Sequence, residues 1–211
     1  MRTTPTRPWK GATAEERRAE RRTRLLDAGL DVLGAVGWER TTVRGVCAEA
    51  GLTERYFYES FNDREALVLA LFDAVRAESL AAVAEAVGAT LERDLRTRAR
   101  NAVAAGLAVL TDDPRKGRLL FLESSRVPAL QARRQDELMV VAAWLEDVAR
   151  ESFEGEPMDP QDTQANAIAI VAAESALATA YLDGTLDISR DRLVEHITEL
   201  HLAVARLTSR G

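Results

Sequence analysis

One cysteine, two histidines and two lysines are all that 211 residues contain of those types. The lone Cys47 excludes an internal disulfide and fits a reducing compartment, the cytoplasm. It reads as a small buried hydrophobe rather than a redox sensor, since only Arg44 nearby could lower its pKa. His196 and His201 are five residues apart and fall on different sides of one helix, so they form no i,i+4 metal pair. Both are expected at the surface or an interface, and no metal site is expected. There is no nucleophile elbow and no phosphate-cradling glycine loop, which argues against an enzyme and against a cofactor. The longest purely apolar runs, Met139 to Leu145 and Ala167 to Ala173, fall well short of the ~20 residues of a membrane span. The N-terminus has no apolar stretch of the secretory-signal kind. Strand alternation between turn dipeptides and internal repeats are both missing.

What is present is apolar enough for a core, at 46% of residues, and charged enough for a soluble surface, at 29%. Arginine supplies 26 of the 28 basic residues, a bias typical of a GC-rich bacterial genome. The net charge of −6 hides an asymmetry. Residues 1–24 carry eight basic side chains against three acidic ones, whereas residues 61–211 carry seventeen against twenty-five. Screening confines electrostatic attraction to about 10 Å, so phosphate binding needs a local basic patch and not a basic protein. The division points to an N-terminal nucleic-acid-binding unit on an acidic body.

Residues 41–64, TTVRGVCAEAGLTERYFYESFNDR, read as a helix-turn-helix. Thr42 caps a short helix, Val43 to Ala50, with Val43, Val46 and Ala50 on one face. Gly51 ends it in the left-handed conformation and Leu52 closes the turn. Thr53 caps a second helix, Glu54 to Ser60, anchored inward by Phe57. In such a pair the second helix enters the major groove of double-stranded DNA. Arg44, Arg55 and Tyr56 are the candidate base readers, because an arginine fork on guanine is the commonest specific contact. Thr42, Thr53, Tyr58 and Arg64 are the candidate phosphate contacts. Glu54 faces the same groove, either accepting from cytosine or staying hydrated.

An ordered set of residues carries a family resemblance: Leu25-Leu26-Asp27-Ala28, Gly37-Trp38, Thr41-Thr42-Val43, Ala50-Gly51-Leu52-Thr53, Phe57-Tyr58, Phe61, Arg64 and Leu67. Across about Ala14 to Leu67 the chain resembles the TetR family of bacterial transcriptional regulators. Two departures stand out, Ser60 where that family often has His or Tyr, and Arg64 where it often has Lys. The resemblance implies an all-α protein: an N-terminal three-helix DNA-binding domain, then a helical ligand-binding and dimerisation domain. It also implies a homodimeric repressor on a palindromic operator, released by a small molecule. A helical carrier or enzyme without sequence-specific DNA binding is the alternative.

About nine helices are expected in all. Residues 1–13 read as a mobile basic arm, 14–62 as the DNA-binding domain and 63–211 as the body. Thr13 with Glu16 forms a capping box opening helix 1, whose Leu26, Leu30 and Leu33 share a stripe that stops at Gly37. Asn62 with Glu65 reads as a second box, before a long helix with Leu67, Leu71, Ala74 and Val75 inward. Asp113-Pro114, Pro128 and Asp159-Pro160 mark further starts, and Ser189 caps the last helix. The helix from about Asp159 is apolar on two sides, hence buried against its own core and against another body. The resemblance makes that body a second subunit, placing Ala172, Ala178, Leu182, Ile197, Leu200 and Val204 at the dimer interface. An apolar ligand pocket is expected around Phe121, Met139, Trp144 and Tyr181, with Glu123 or Glu174 as its polar selector.

Overall fold

The computed structural model describes residues 13–130, 133, 136, 139, 140, 143, 144 and 159–208. The expected arm, residues 1–13, thus lies outside the described residues except for Thr13. Among the described residues the chain is helical, without strands. The helices are α1 (Ala14–Val36), α2 (Val43–Ala50), α3 (Glu54–Tyr58), α4 (Arg64–Gly88), α5 (Leu95–Asp112), α6 (Pro114–Gly117), α7 (Pro160–Leu182) and α8 (Arg190–Thr208). A 3₁₀ turn, Trp38–Arg40, follows α1; a π-helical turn, Arg118–Glu123, and two 3₁₀ turns follow α6.

Short polar side chains set most of the boundaries. The Thr13 hydroxyl accepts from the Glu16 N–H at 3.1 Å, and the Glu16 carboxylate accepts from the Thr13 N–H at 2.6 Å, the reciprocal box that opens α1. Asp94, Asp113 and Asp159 cap α5, α6 and α7 by a one-way bond, each carboxylate accepting from a backbone N–H of the first turn. Ser189 accepts from the Arg192 N–H to open α8. The expected Asn62 box is displaced by one residue: Asp63 caps α4, its carboxylate accepting from the Ala66 N–H at 2.7 Å. A full negative charge at the positive end of the helix outcompetes the neutral amide beside it.

One apolar core runs from the N-terminal helices into the body. Leu25, Leu33, Phe57, Leu67 and Phe72 are fully buried, and Leu119, Val127 and Leu130 from the segment after α6 belong to the same cluster. Leu25, not Leu26, is the deepest residue of the α1 stripe, and Ala74 of α4 is exposed because Val68 and Phe72 take the inward places. Helix α1 approaches α4 at Gly29, where a β-carbon would stand 3.0 Å from a Leu67 methyl. It crosses α6 at Gly34, where one would stand 2.9 Å from the Arg115 side chain. That arginine bridges Asp31 of α1, at 2.5 Å, and Asp113, at 2.6 Å. Its hydrogen bonds hold the Asp113 carboxyl below the usual carboxylate range. Farther along, α5 packs between α4 and α8, and Leu107 joins Leu193, Val194 and Ile197 in a second cluster.

By length and composition helix α7 could cross a membrane, with a mean hydropathy of 1.4 over its most apolar 18 residues, although no uninterrupted apolar run is long enough. It is apolar on two faces, as expected. Ala167, Ile170 and Ala178 are buried within the chain, whereas Ile168 is 47% exposed and Ala165, Ala169, Ala172 and Ala176 are exposed beside it.

Candidate DNA-binding surface and the expected pocket

The helix-turn-helix forms through local bonds. Thr42 accepts from the Gly45 N–H at 3.0 Å to open α2. Gly51, at φ 62° and ψ 36°, ends it, with the Leu52 N–H donating back to the Cys47 carbonyl at 2.9 Å. Val46, Cys47 and Ala50 turn inward. Burial, with the Glu54 carboxylate near, pushes the Cys47 thiol up and leaves it the less reactive protonated form. Helix α3 ends at Tyr58, shorter than expected, and only Phe57 faces the core. Arg44, Glu54, Arg55, Tyr56 and Tyr58 all face outward, and the Arg55 side chain is 85% exposed. Thr53 has the backbone of a cap but its hydroxyl makes no capping bond. Thr42 and Thr53 thus stand at the two helix N-termini, where backbone dipoles favour an anion.

Sequence reasoning saw the basic charge of α1 but not its partners. Arg18 donates to the Glu59 carbonyl and Arg21 to the Glu59 carboxylate at 3.3 Å. The Arg21 guanidinium lies 4.5 Å from the Tyr56 ring centre, and that of Arg22 4.8 Å from that of Phe61. Arg24 donates to the Ala50 carbonyl at 2.5 Å. The spacing of Arg18, Arg21, Arg22 and Arg24 along one side of α1 was the available signal. The contacts of Arg18 and Arg21 brace α3, which is too short to hold itself, and those of Arg22 and Arg24 hold the residues on either side of it.

Arg64 is placed differently from the other phosphate candidates. Its Nη1 donates to the Thr41 carbonyl at 2.9 Å and more weakly to that of Trp38, at 3.4 Å. Its guanidinium covers the Trp38 ring at 4.1 Å. It therefore secures the turn that delivers Thr42 to its cap.

The expected pocket residues do not converge. Phe121 packs on the core shared with α1–α4. Glu123 is 1% exposed and accepts from the Trp38 N–H at 2.9 Å, a junction between body and N-terminal helices. Met139 is 66% exposed, and Tyr181 belongs to the cluster of α5 and α8. Only Trp144 and Glu174 come together, through His201. The His201 Nε2 approaches a Glu174 oxygen to 2.7 Å, without the direction of a hydrogen bond, and its ring lies 5.1 Å from that of Trp144. His201 is therefore mostly buried, while His196 is exposed. An open groove of about 630 Å³ lies instead between α4 and α5, walled by Ala82, Ala86, Ala105 and Ala108 and edged by Glu78 and Glu85. None of the expected pocket residues lines it.

Five of the six expected interface residues also face their own chain, Leu200 by packing against the cluster of Ala167, Ile170 and Val204. Ala178, Ile197 and Val204 are buried, and Leu182 packs against Gly117 of α6. A 3.6-residue period shows that two sides of a helix are apolar, not which of them meets the chain's own core. Ala172 is exposed and Leu200 partly so.

Residues 25–71 match the family model described as bacterial regulatory proteins, tetR family. A comparison with the curated proteins finds no match. Among solved structures, the fatty acid degradation regulator FadR from Bacillus halodurans is similar at 16% identity and a TM-score of 0.69, covering 92% of this chain and 97% of that one. A TetR-family transcriptional regulator from Syntrophomonas wolfei is similar at 18% identity and a TM-score of 0.73, covering 89% and 96%. FadR from Bacillus subtilis, solved in complex with stearoyl-CoA, is similar at 14% identity and a TM-score of 0.65, covering 90% and 98%. These likenesses extend the shared fold over about nine tenths of the chain.

Arg64→Ala should lower stability by about 1–3 kcal/mol, since two carbonyls lose a charged donor. Arg64→Lys should restore little of it, because an ammonium cannot both fork and stack. Chemical denaturation of both variants checks this; a wild-type midpoint in each would show that Arg64 has no structural role.

Proposed function

We propose that this TetR-family transcriptional regulator, placed in the family by residues 25–71, is a cytoplasmic homodimeric repressor and not an enzyme. It binds a pseudo-palindromic DNA operator and leaves it when a small apolar molecule occupies the body. The observation that carries this reading is α3: a helix with one buried anchor, Phe57, and every other side chain turned outward, braced at Tyr56 and at its C-cap Glu59 by Arg18 and Arg21 of α1. Such a helix has little use inside the chain and is shaped to lie in a groove.

In this reading Arg44, Arg55 and Tyr56 contact base edges and Thr42, Thr53 and Tyr58 contact phosphates. Arg64 adds a phosphate contact to its structural duty, and Glu54 faces cytosine or water. The DNA-binding unit is residues 14–62 and the body 63–211, with residues 1–13 as a basic arm. Selection from random duplexes should return a two-fold symmetric site. Arg44→Ala or Arg55→Ala should then cost about 1–3 kcal/mol in affinity and relax selectivity at one position of each half-site. Wild-type affinity and selectivity in both variants would remove these residues from base reading.

A five-residue helix reads too few base pairs to select a genomic site alone, so two copies are needed. The outer face of α7 supplies the surface: Ala165, Ile168, Ala169, Ala172 and Ala176 form an exposed apolar stripe whose small side chains allow close helix approach. Leu200 of α8 lies only partly exposed. Ile168→Glu should give a folded monomer, because the charge would be desolvated only in the dimer. Sedimentation and circular dichroism together check it; an intact dimer in this variant would move the interface elsewhere.

The ligand reading rests on the stearoyl-CoA bound by FadR from Bacillus subtilis and on the Trp144–His201–Glu174 group, where an apolar wall meets polar atoms. Phe121, Met139, Tyr181 and Glu123 are retained as pocket residues only if the body rearranges around a ligand. Release requires tighter binding to the DNA-incompetent state, since equal affinity for both shifts nothing. Fatty acids and acyl-CoA thioesters should raise the melting temperature and free labelled operator over the same concentration range. Stabilisation without release would make the body a carrier rather than a sensor.

A further inference from the structure

Beside its place in the body, Glu123 has a set of contacts that neither groove reading nor ligand binding requires. Its carboxylate is buried 85 residues away in sequence from the amide it serves, that of Trp38, at 2.9 Å. Arg118 at 3.3 Å and Arg126 at 3.6 Å stand beside it and keep the buried charge compensated. Gly37, at φ 77°, lets the turn come close: a β-carbon there would stand 3.2 Å from the Glu123 Oε1. From this anchor the chain runs directly to the DNA-facing surface. The Thr41 hydroxyl donates to the Gly37 carbonyl at 2.8 Å, and Arg64 grips the Thr41 carbonyl and the Trp38 ring. The next residue, Thr42, opens α2.

We infer that Glu123 is a specificity determinant for DNA that never touches it: by anchoring Trp38 it fixes the angle of the helix-turn-helix on the body, and so the spacing of the two half-sites. The inference rests on the dimeric DNA-binding reading above. A carboxylate held by two arginines at the end of a π-helical turn is a rigid acceptor, and the amide it accepts from begins the 3₁₀ turn between α1 and α2. The polar contact Asp31–Arg115 joins the same two parts of the molecule farther back along α1. Loss of the Glu123 bond would leave each DNA-binding unit attached through the shared apolar cluster and the Asp31–Arg115 pair, but with the turn at Trp38 no longer pinned and its tilt less closely fixed. A tilting pair binds a correctly spaced site less tightly and rejects a wrongly spaced one less well, because its geometry is no longer set before binding.

The test takes the full-length protein and the symmetric site returned by selection, then inserts or removes one and two base pairs at its centre. The wild type should lose at least tenfold in affinity for each altered spacing. Glu123→Ala should bind the original spacing several-fold more weakly and differ by less than threefold among spacings. Glu123→Gln keeps an accepting oxygen and should fall between the two. A structural defect alone would lower the melting temperature while keeping the spacing preference. Variants that retain the full wild-type preference would overturn the inference. Amide exchange on the wild type gives a second measure independent of any variant's folding. The Trp38 N–H should be strongly protected, and exchange at the rate of an open loop would equally overturn it. If the wild type selects no DNA at all, the failure belongs to the DNA-binding reading and is recognised as such before any variant is made.

Discussion

Helix α1 holds the N-terminal unit together in two chemically different ways at once. Its inner stripe, Leu25, Ala28, Leu30 and Leu33, walls the core against α2, α3 and α4. Its polar side carries the arginines that grip Glu59, Tyr56, Phe61 and the Ala50 carbonyl. Each surface ion pair of this kind is worth only about 0–1 kcal/mol, so the arginines do little for overall stability. Their effect is positional. A five-residue helix has barely one closed turn of hydrogen bonds, and isolated helices of that length do not persist in water. Phe57 fixes α3 at one point, and the arginines of α1 prevent rotation about it.

The same helix couples that unit to the body. Gly29 and Gly34 let α1 approach α4 and α6 closely, and a single apolar cluster spans α1, α4 and the segment after α6. The boundary drawn after residue 62 is thus one of chain topology, not of packing. Close-packed interiors do not deform continuously, so a displacement at the segment after α6 reaches α1 as a shift of whole side chains or not at all. This favours a few discrete orientations of the N-terminal unit over a continuous range.

What could be read from the sequence was what short range controls. The Thr13–Glu16 box, the Thr42 cap, the Gly51 turn and the proline starts all depend on residues within four positions of one another, and the structure has them. Asp63 displaced Asn62 because two adequate caps stood side by side and charge separated them. What the sequence left open lies where long range decides. Both faces of α7 are apolar, so no period could tell Ala178, buried in the chain, from Ala172, exposed. Glu123 looked like a pocket acid because nothing near it in sequence reveals Trp38. His201 looked superficial because Glu174 and Trp144, its neighbours, come from other segments.

The distribution of charge follows a similar division of labour. The body is acidic overall, yet its ion pairs are arranged between helices rather than spread at random. Arg96 and Arg100 of α5 meet Glu195 of α8, holding its carboxyl below the usual range, and Lys116 meets Glu78 of α4. Exposed pairs like these add little energy but tie neighbouring helices at several points along their length. Helix α7 lacks such markers on its outer face, where the exposed stripe is alanine with one isoleucine. Small side chains bury little area each, so an association through that face depends on close approach along several turns and not on one anchor. A contact of that kind tolerates small rotations of one helix on another, whereas the charged α5–α8 contact resists them. The body is accordingly stiff within the chain and more adaptable at its outer surface.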